Sequence, residues 1–275
     1  MIGGDGCWSR VRKELTDELP HYAGIAGLSF QISSPEERCP DLHTLVDRGS
    51  LFAFAECRGV MAQQLGSGSL NVAFWAVKPE SWIKTFDGAS ANIEVMKQAC
   101  LAELDGWDAQ LRRFIEMSDT NAVTRNLYML PVGNSWTDRP GITLLGDAAH
   151  VMTPFAGEGV NLAMTDAMKL AKAIENAAKV GTTEALNCEV KAYEEDMFRR
   201  AKSIQQQTYD MMSHSLLDQG SLDKNIEQYI TTAAGHQLPL ILKPVLWFAA
   251  RCYFAIWRWR NPTPAKAKSA RRTKS

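Results

Sequence analysis

The segment from Gly141 to Ala178 constrains the fold of this chain more than any other. A short apolar run of β type, Ile142 to Leu145, is followed by a glycine-containing loop and then by a long stretch with helical apolar spacing. Gly157 and Gly159 precede the predicted helix, where backbone N–H groups have no intrahelical partner. The segment therefore predicts a strand, a loop and a helix whose N-terminus favours an anionic or electron-rich group.

The predicted helix has two faces. The face expected to pack carries Val160, Ala163, Met164, Ala167, Leu170, Ala171, Ile174 and Ala178, which recur every three or four positions. The face expected to be solvated carries Thr165, Asp166, Lys169, Lys172 and Glu175.

This segment resembles the second flavin-binding motif of the FAD-dependent aromatic hydroxylases, the flavoprotein monooxygenases with the p-hydroxybenzoate hydroxylase fold. The matching positions are Gly146, Asp147, Ala148, Ala149, His150, Pro154, Gly157, Gly159, Asn161, Asp166 and Ala167. The resemblance implies that Asp147 hydrogen-bonds the ribityl chain of FAD, and that backbone around Gly159, Val160 and Asn161 faces the pyrimidine end of the flavin. A helix N-terminus there would stabilise the negative charge of reduced flavin by roughly 0.3–2 kcal/mol. The alternative is an ordinary glycine-containing connection between a strand and a helix.

The N-terminal residues resemble a second motif of the same family. Asp5, Gly6, Ser9, Arg10 and Arg12 follow a possible strand end at Ile2, and the family commonly has alanine where this chain has glycine at position 4. In the family this segment supports the pyrophosphate region of FAD and takes part in binding reduced nicotinamide. The segment predicts a tight turn at Gly3 to Gly6 and a helix from Ser9 to Leu15, and the alternative to a cofactor motif is that these are only a turn and a basic surface helix. The candidate cofactor-binding residues are Asp5, Gly6, Asp147, Pro154, Gly157, Gly159, Val160 and Asn161; no catalytic side chain is identified.

One element of the family pattern has no counterpart in these 275 residues. It is the strand, G-x-G-x-x-G loop and helix that cradle the dinucleotide pyrophosphate, which in the family lie ahead of the Asp-Gly motif. The only other glycine cluster, Leu65 to Leu70, lies between β-type runs and predicts a hairpin turn. The chain thus resembles the C-terminal half to two-thirds of a flavoprotein monooxygenase, with an N-terminal truncation.

Residues 23 to 77 are mostly of β type, which predicts an antiparallel sheet. The expected strands are Ile25 to Ile32, Leu42 to Val46, Leu51 to Glu56, Val60 to Leu65 and Leu70 to Val77. In the family this region is the substrate domain, and its sequence is most similar to the tetracycline-inactivating and fungal secondary-metabolite branches. Its aromatic residues either line a substrate pocket or pack in the sheet core: Phe52, Phe54, Phe74 and Trp75.

Helical spacing covers 91–117, with a break at Asp105-Gly106, and 184–217, while 126–132 returns as a strand. The fold class expected is α+β (α/β). An incomplete Rossmann-like FAD-binding domain would comprise 1–20 and 125–215, an antiparallel-sheet substrate domain 21–124, and a C-terminal helical segment with a basic tail 216–275.

Charge is distributed unevenly along the chain. The seven basic residues from Arg258 onwards have no acidic neighbour, and the preceding body has an excess of eight acidic residues. An acidic body argues against nucleic-acid binding. Six scattered cysteines without a C-x-x-C pair and without a secretory leader predict free thiols in a cytoplasmic protein. The five histidines are not at metal-ligand spacing, so no metal site is predicted.

The segment Leu238 to Trp259 is rich in large apolar residues, but Lys243, Pro244 and Arg251 interrupt it and argue against a spanning helix. Lys243, Arg251 and Arg258 form a narrow basic stripe on an otherwise apolar helix. Two alternatives fit this pattern: peripheral membrane contact through 238–260, or a terminal helix packed across both domains.

The resemblance implies an FAD-dependent monooxygenase that takes electrons from NADH or NADPH and activates O2 as a flavin C4a-hydroperoxide. It would hydroxylate or epoxidise a small substrate, aromatic or of polyketide or terpenoid type, in secondary metabolism. The alternative is a non-catalytic remnant or binding module that cannot hold FAD alone.

Overall fold

The computed structural model describes residues 1–87, 92–217, 222–235 and 240–260. A five-stranded antiparallel sheet has the order β3-β4-β5-β2-β6. Its strands are β2 (His21–Ile32), β3 (Ser50–Ala55), β4 (Arg58–Gln64), β5 (Leu70–Val77) and β6 (Thr120–Met129). Two further strands, β1 (Ile2–Gly3) and β7 (Thr143–Leu144), form a separate two-stranded parallel sheet. The mixed α/β class expected from the sequence is confirmed.

Alternation along the strands gives the large sheet one buried face. Side chains such as Leu28, Phe30, Val60, Val72 and Phe74 point into the main core. Three helices cover this face: α2 (Pro40–Val46), α3 (Ile93–Glu103) and α4 (Ala109–Glu116). A short helix, α1 (Pro35–Arg38), precedes α2. The opposite face of the sheet makes a second, smaller set of apolar contacts with the C-terminal half of the chain.

The sequence expectation for residues 42 to 46 is wrong, because they belong to helix α2 and not to a strand. Pro40 at the first helical position fixes a helical φ, and Asp41 lies in the favourable first turn. The expected N-terminal helix is also shorter than predicted, since only Arg12–Glu14 form a 3-10 turn. The break between α3 and α4 is confirmed; Gly106 has a φ of 77°, and Asp108 caps α4 by accepting from the Gln110 N–H.

The C-terminal half is helical. A short α5 (Asp147–His150) leads to α6 (Gly159–Val180), and α7 (Thr183–Met212) continues as a π-helical turn, Ser213–Leu217. Gly181 ends α6 in the left-handed conformation, and Thr182 caps α7 by accepting from the Ala185 N–H. Two last helices follow, α8 (Leu222–Gly235) and α9 (Lys243–Arg260).

The two faces predicted for α6 are interchanged in part. The buried residues of α6 are Leu162, Asp166, Leu170, Ala173 and Ala177, so only Leu170 of the predicted packing face is buried. Val160, Met164, Ala167, Ala171, Ile174 and Ala178 are exposed. Because many α6 residues are small or apolar on all sides, spacing alone did not identify the face that meets the protein.

The expected boundary between residues 124 and 125 falls inside β6, which pairs with β2 from His21↔Met129 to Gln31↔Thr120. We therefore propose that a boundary between a substrate unit and an FAD-binding unit lies after Met129. The two units would be joined by the chain that leads from β6 to β7.

Candidate cofactor site

The two sequence motifs meet at the carboxyl ends of the two parallel strands. β1 pairs with β7 through Ile2↔Thr143 and Gly3↔Leu144, so Asp5 and Asp147 follow neighbouring strands. Loops at the carboxyl ends of parallel strands are where α/β folds bind ligands. The Asp5 carboxylate accepts from the backbone N–H of Arg10 at 2.8 Å, and the hydrogen bond from Ser9 helps to hold the pKa of Asp5 below its ordinary value.

Arg12 joins the motifs. Its side chain is 2% exposed, and its guanidinium donates to the carbonyl oxygens of Cys7 at 2.8 Å, Asp147 at 3.0 Å and Ala148 at 2.7 Å. Burial lowers the pKa of Arg12, while Asp5 and Asp147 nearby favour its charged form. A buried cation therefore lies directly behind both loops and holds the backbone of Asp147 in place. The sequence indicated an arginine at this position but gave no sign of its burial.

Asp166 anchors the loop to α6. Its fully buried carboxylate accepts from the Gly146 N–H at 3.0 Å, from His150 Nε2 at 2.6 Å and from Arg200 of α7 at 2.9 Å. Burial by itself would raise the pKa of Asp166, but these hydrogen bonds outweigh it and the net pKa is lowered. The sequence expectation of a solvated Asp166 is therefore wrong, since its partners come from two segments distant from it in the chain, residues 146–150 and α7.

The N-terminus of α6 is open. Its capping position, Glu158, makes no side-chain capping hydrogen bond, and Val160 is 72% exposed. Gly157 has a φ of 68°, and an added Cβ at Gly157 or Gly159 would meet nothing within 4 Å. Exposed Asn161 donates to Glu158 at 3.0 Å. Unpaired N–H groups beside an open, glycine-lined surface fit a planar, electron-rich edge such as the pyrimidine side of a flavin.

The remaining motif residues lie beside this helix start. The Asp147 side chain is exposed at the start of α5, although its backbone is held by Arg12. Gly146 has a φ of 61°, and a Cβ there would lie 3.2 Å from Ala163 of α6, so the strand end packs directly on the helix. The loop is also tied to α7, because Thr208 Oγ1 accepts from the Ala156 N–H at 3.1 Å.

A cavity of about 320 Å³ opens on the face of the large sheet that lies opposite the main core. It is lined by Ser29, Ser50, Phe52, Met61, Ala62, Gln63, Asn71, Ala73, Trp75, Arg125, Leu127 and Pro154. Among these described residues Arg125 alone has a charged side chain, and its Nε donates to Ser29 Oγ at 3.3 Å. Arg125 is not indicated by any sequence motif, because the strand expected from the sequence began at residue 126, whereas β6 begins at Thr120 and contains Arg125 as its single charged residue.

The four predicted aromatic residues have different surroundings. Phe52 and Trp75 line the cavity, while Phe74 lies in the main core. Phe54 packs in a smaller core with Phe155, and their ring centroids are 6.3 Å apart. The contact joins the sheet to the loop before α6.

Two parallel strands lead into loops beside an open helix start, and a sheet with a cavity lies next to them. This arrangement defines a class of fold with one part for a cofactor and one for a substrate. A model of the FAD binding domain family matches residues 1–208. The chain therefore belongs to the FAD-binding monooxygenase family, as its sequence resemblance indicated.

Similar fungal proteins are monooxygenase asqM of Emericella nidulans and monooxygenase penA of Penicillium thymicola. The chain is 26% identical to asqM over 266 aligned residues and 26% identical to penA over 260, in each case with 80% of this chain and 60% of the relative covered. The chain thus spans about three-fifths of the length of these curated relatives.

Solved structures share the fold. Klebsiella pneumoniae HpxO complexed with FAD and uric acid superimposes with a TM-score of 0.66 at 17% identity, covering 90% of this chain and 59% of HpxO. A salicylate hydroxylase substrate complex superimposes with a TM-score of 0.65 at 14% identity, covering 90% and 63%.

Proposed function

We propose that this chain carries the substrate-binding part and the isoalloxazine-facing part of an FAD-dependent monooxygenase that hydroxylates or epoxidises a small secondary metabolite. The observation that carries the proposal is the position of Pro154. It belongs to the flavin-motif loop and also lines the cavity on the sheet. The cofactor loop and the cavity are therefore adjacent, as transfer of an oxygen atom from a flavin to a substrate requires.

Each candidate residue has a proposed role toward FAD. Asp147 would accept hydrogen bonds from ribityl hydroxyl groups, and the N–H groups of Gly159, Val160 and Asn161 would face the flavin pyrimidine edge. Asp5 and Gly6, held near Arg12, would lie on the pyrophosphate side. When bound, FAD would supply the redox chemistry with O2 and NAD(P)H; the protein side chains would orient the substrate and exclude water.

The cavity favours a flat substrate that carries oxygen substituents. Phe52, Met61 and Trp75 offer apolar and aromatic surface, while Arg125 offers a planar donor group for a carboxylate, phenolate or carbonyl oxygen. Two structural neighbours are a complex with uric acid and a salicylate hydroxylase substrate complex, which supports small ring compounds of this kind.

The test is oxygen incorporation. The chain is incubated with saturating FAD, NADH or NADPH, and a panel of phenols, hydroxybenzoates and polycyclic ketones under ¹⁸O2, and products are analysed by mass spectrometry. We expect one ¹⁸O atom per product molecule and a loss of turnover of about tenfold or more in Arg125→Leu, with Arg139→Leu outside the cavity as control. Absence of labelled product while FAD is bound would contradict the proposal.

The alternative, a binding module without catalysis, is favoured by one observation: these 275 residues contain no G-x-G-x-x-G loop. It predicts that panel compounds bind in the cavity and are protected from solvent, yet acquire no label. A panel compound that binds in isothermal titration, yet acquires no ¹⁸O in the presence of bound FAD, would support this alternative over the monooxygenase.

A further inference from the structure

Helix α9 presents an apolar face to solvent. Val245, Phe248, Cys252, Ile256 and Trp259 fall within about 80° of one another at about 100° per residue, and all five are exposed. Phe248 is 66% and Trp259 80% exposed. A continuous stripe of this kind along a whole helix is far larger than the isolated apolar side chains of an ordinary protein surface.

The opposite side of α9 lies on α8. Ala250 is buried there, Leu246 and Phe254 are half-buried, and Arg258 donates to Glu227 of α8 at 2.7 Å. The basic stripe expected from the sequence is therefore not the solvent face, since Lys243 and Arg258 are half-buried on the α8 side. Within residues 222–235 and 240–260, α9 packs mainly against α8, and a terminal helix packed across both domains is not seen there.

Cationic side chains flank the apolar stripe. Exposed Arg251 and Arg260 lie about 90° to either side of its centre, and the Arg251 guanidinium lies 4.6 Å from the ring centroid of Trp247. In the sequence no aspartate or glutamate follows Glu227, whereas nine lysines and arginines do. The surface that meets α9 must therefore be apolar in its interior and negatively charged at its edge.

We propose that α9 binds in the plane of an anionic lipid membrane, with the Val245–Trp259 stripe at the acyl boundary and Arg251 and Arg260 among the headgroups. Amphipathic helices with cationic edges bind membranes in this orientation. The described helices include none long and apolar enough to cross a membrane. Tryptophan and tyrosine side chains favour that interface, and α9 carries Trp247, Tyr253, Trp257 and Trp259.

The test is co-sedimentation of the full chain with vesicles of phosphatidylcholine, alone or mixed with phosphatidylserine, at low and high salt. We expect binding to the mixed vesicles that falls as salt rises. Phe248→Glu and Ile256→Glu should each weaken it at least tenfold. Val95→Glu, which charges an exposed apolar side chain on α3, is the matched control and should leave binding unchanged.

Charge is tested separately with Arg251→Gln and Arg260→Gln. Each should weaken binding to mixed vesicles about fivefold, which corresponds to about 1 kcal/mol per basic residue near an anionic surface, and should have no effect on phosphatidylcholine alone. Melting temperatures check that every variant is folded.

The same samples decide whether a second copy of the chain covers the stripe. Light scattering after size exclusion reports the mass of the free protein. A dimer that Phe248→Glu converts to a monomer, together with no vesicle binding by the unaltered chain, would overturn the proposal. Equal vesicle binding by the unaltered chain and the Phe248→Glu variant would overturn it as well.

Discussion

Two aspartates near the flavin motif have separate roles at the scale of single residues. We predict that Asp147→Ala leaves stability within about 0.5 kcal/mol, since the side chain is exposed, but weakens FAD binding about tenfold or more through loss of a charge-assisted hydrogen bond. Asp166→Ala should instead destabilise the fold by about 3–5 kcal/mol, because buried His150 and the Gly146 N–H lose their acceptor and Arg200 keeps only Asp196 as an ion-pair partner. FAD fluorescence titration and thermal unfolding measure the two effects. Equal flavin affinity of the unaltered and Asp147→Ala proteins would show that the motif assignment is wrong.

Glu194 gives a second prediction at this scale. The buried carboxylate accepts from Trp136 Nε1 at 3.1 Å and Thr143 Oγ1 at 2.7 Å, and burial raises its pKa above 4.5. The folded state therefore binds the proton more tightly than the unfolded state, and the protein loses stability as pH rises from about 4.5 through the raised pKa.

Glu194→Gln retains an oxygen that accepts from both donors, and it removes the free-energy cost of burying an ionised carboxylate. We expect a stability advantage over the unaltered protein that is small at acidic pH and grows to about 1 kcal/mol or more at neutral pH. Urea unfolding across pH measures it, and Glu195→Gln, on the exposed side of the same helix, is the control. An advantage that does not depend on pH would contradict the assignment.

At the scale of elements, β2 and β5 approach closely at Gly27. An added Cβ at Gly27 would lie 2.3 Å from the Trp75 ring and 2.4 Å from the backbone oxygen of Phe74. Rotation of a side chain cannot relieve the backbone contact. Gly27→Ala should therefore cost about 3 kcal/mol or more and displace Trp75 from the cavity wall.

Gly66→Ala is the matched control, since a Cβ at Gly66 would meet nothing within 4 Å in the β4–β5 turn. Its effect should stay within about 0.5 kcal/mol. Chemical denaturation measures both variants, and near-ultraviolet circular dichroism reports the displacement of Trp75. A Gly27→Ala protein as stable as the Gly66→Ala protein would contradict the strand register.

At the scale of the whole molecule, we expect weak FAD binding because these 275 residues contain only part of the dinucleotide site of the family. Without a G-x-G-x-x-G loop, the 275-residue chain lacks backbone donors for two phosphates, each worth about 1.5–3 kcal/mol when charge-assisted. We expect an FAD affinity two to four orders of magnitude below that of flavoproteins that also contain this loop. Equilibrium dialysis and the visible spectrum after gel filtration test this, and stoichiometric flavin retained through the column would contradict it.

The sequence by itself determined most of the helices and strands and the positions of the two motif loops. β-type composition between turn residues predicted four of the five strands of the large sheet, and the glycines around residues 146 to 159 predicted the open helix start. Proline at position 40 was a usable signal for α2, although the β-type composition of residues 42–46 predicted a strand.

Only the tertiary structure decided which side of each helix is buried. Asp166 lies inside because Arg200, His150 and the Gly146 N–H converge on it from distant segments, and the gain from these bonds outweighs the cost of burial. Arg12 is buried because three carbonyl oxygens of two joined loops surround it. On α9 the partner helix α8 covers the side with Lys243 and Arg258 and leaves the apolar stripe outside. Periodicity gives the spacing of a face, but the direction of that face depends on contacts between residues far apart in the chain.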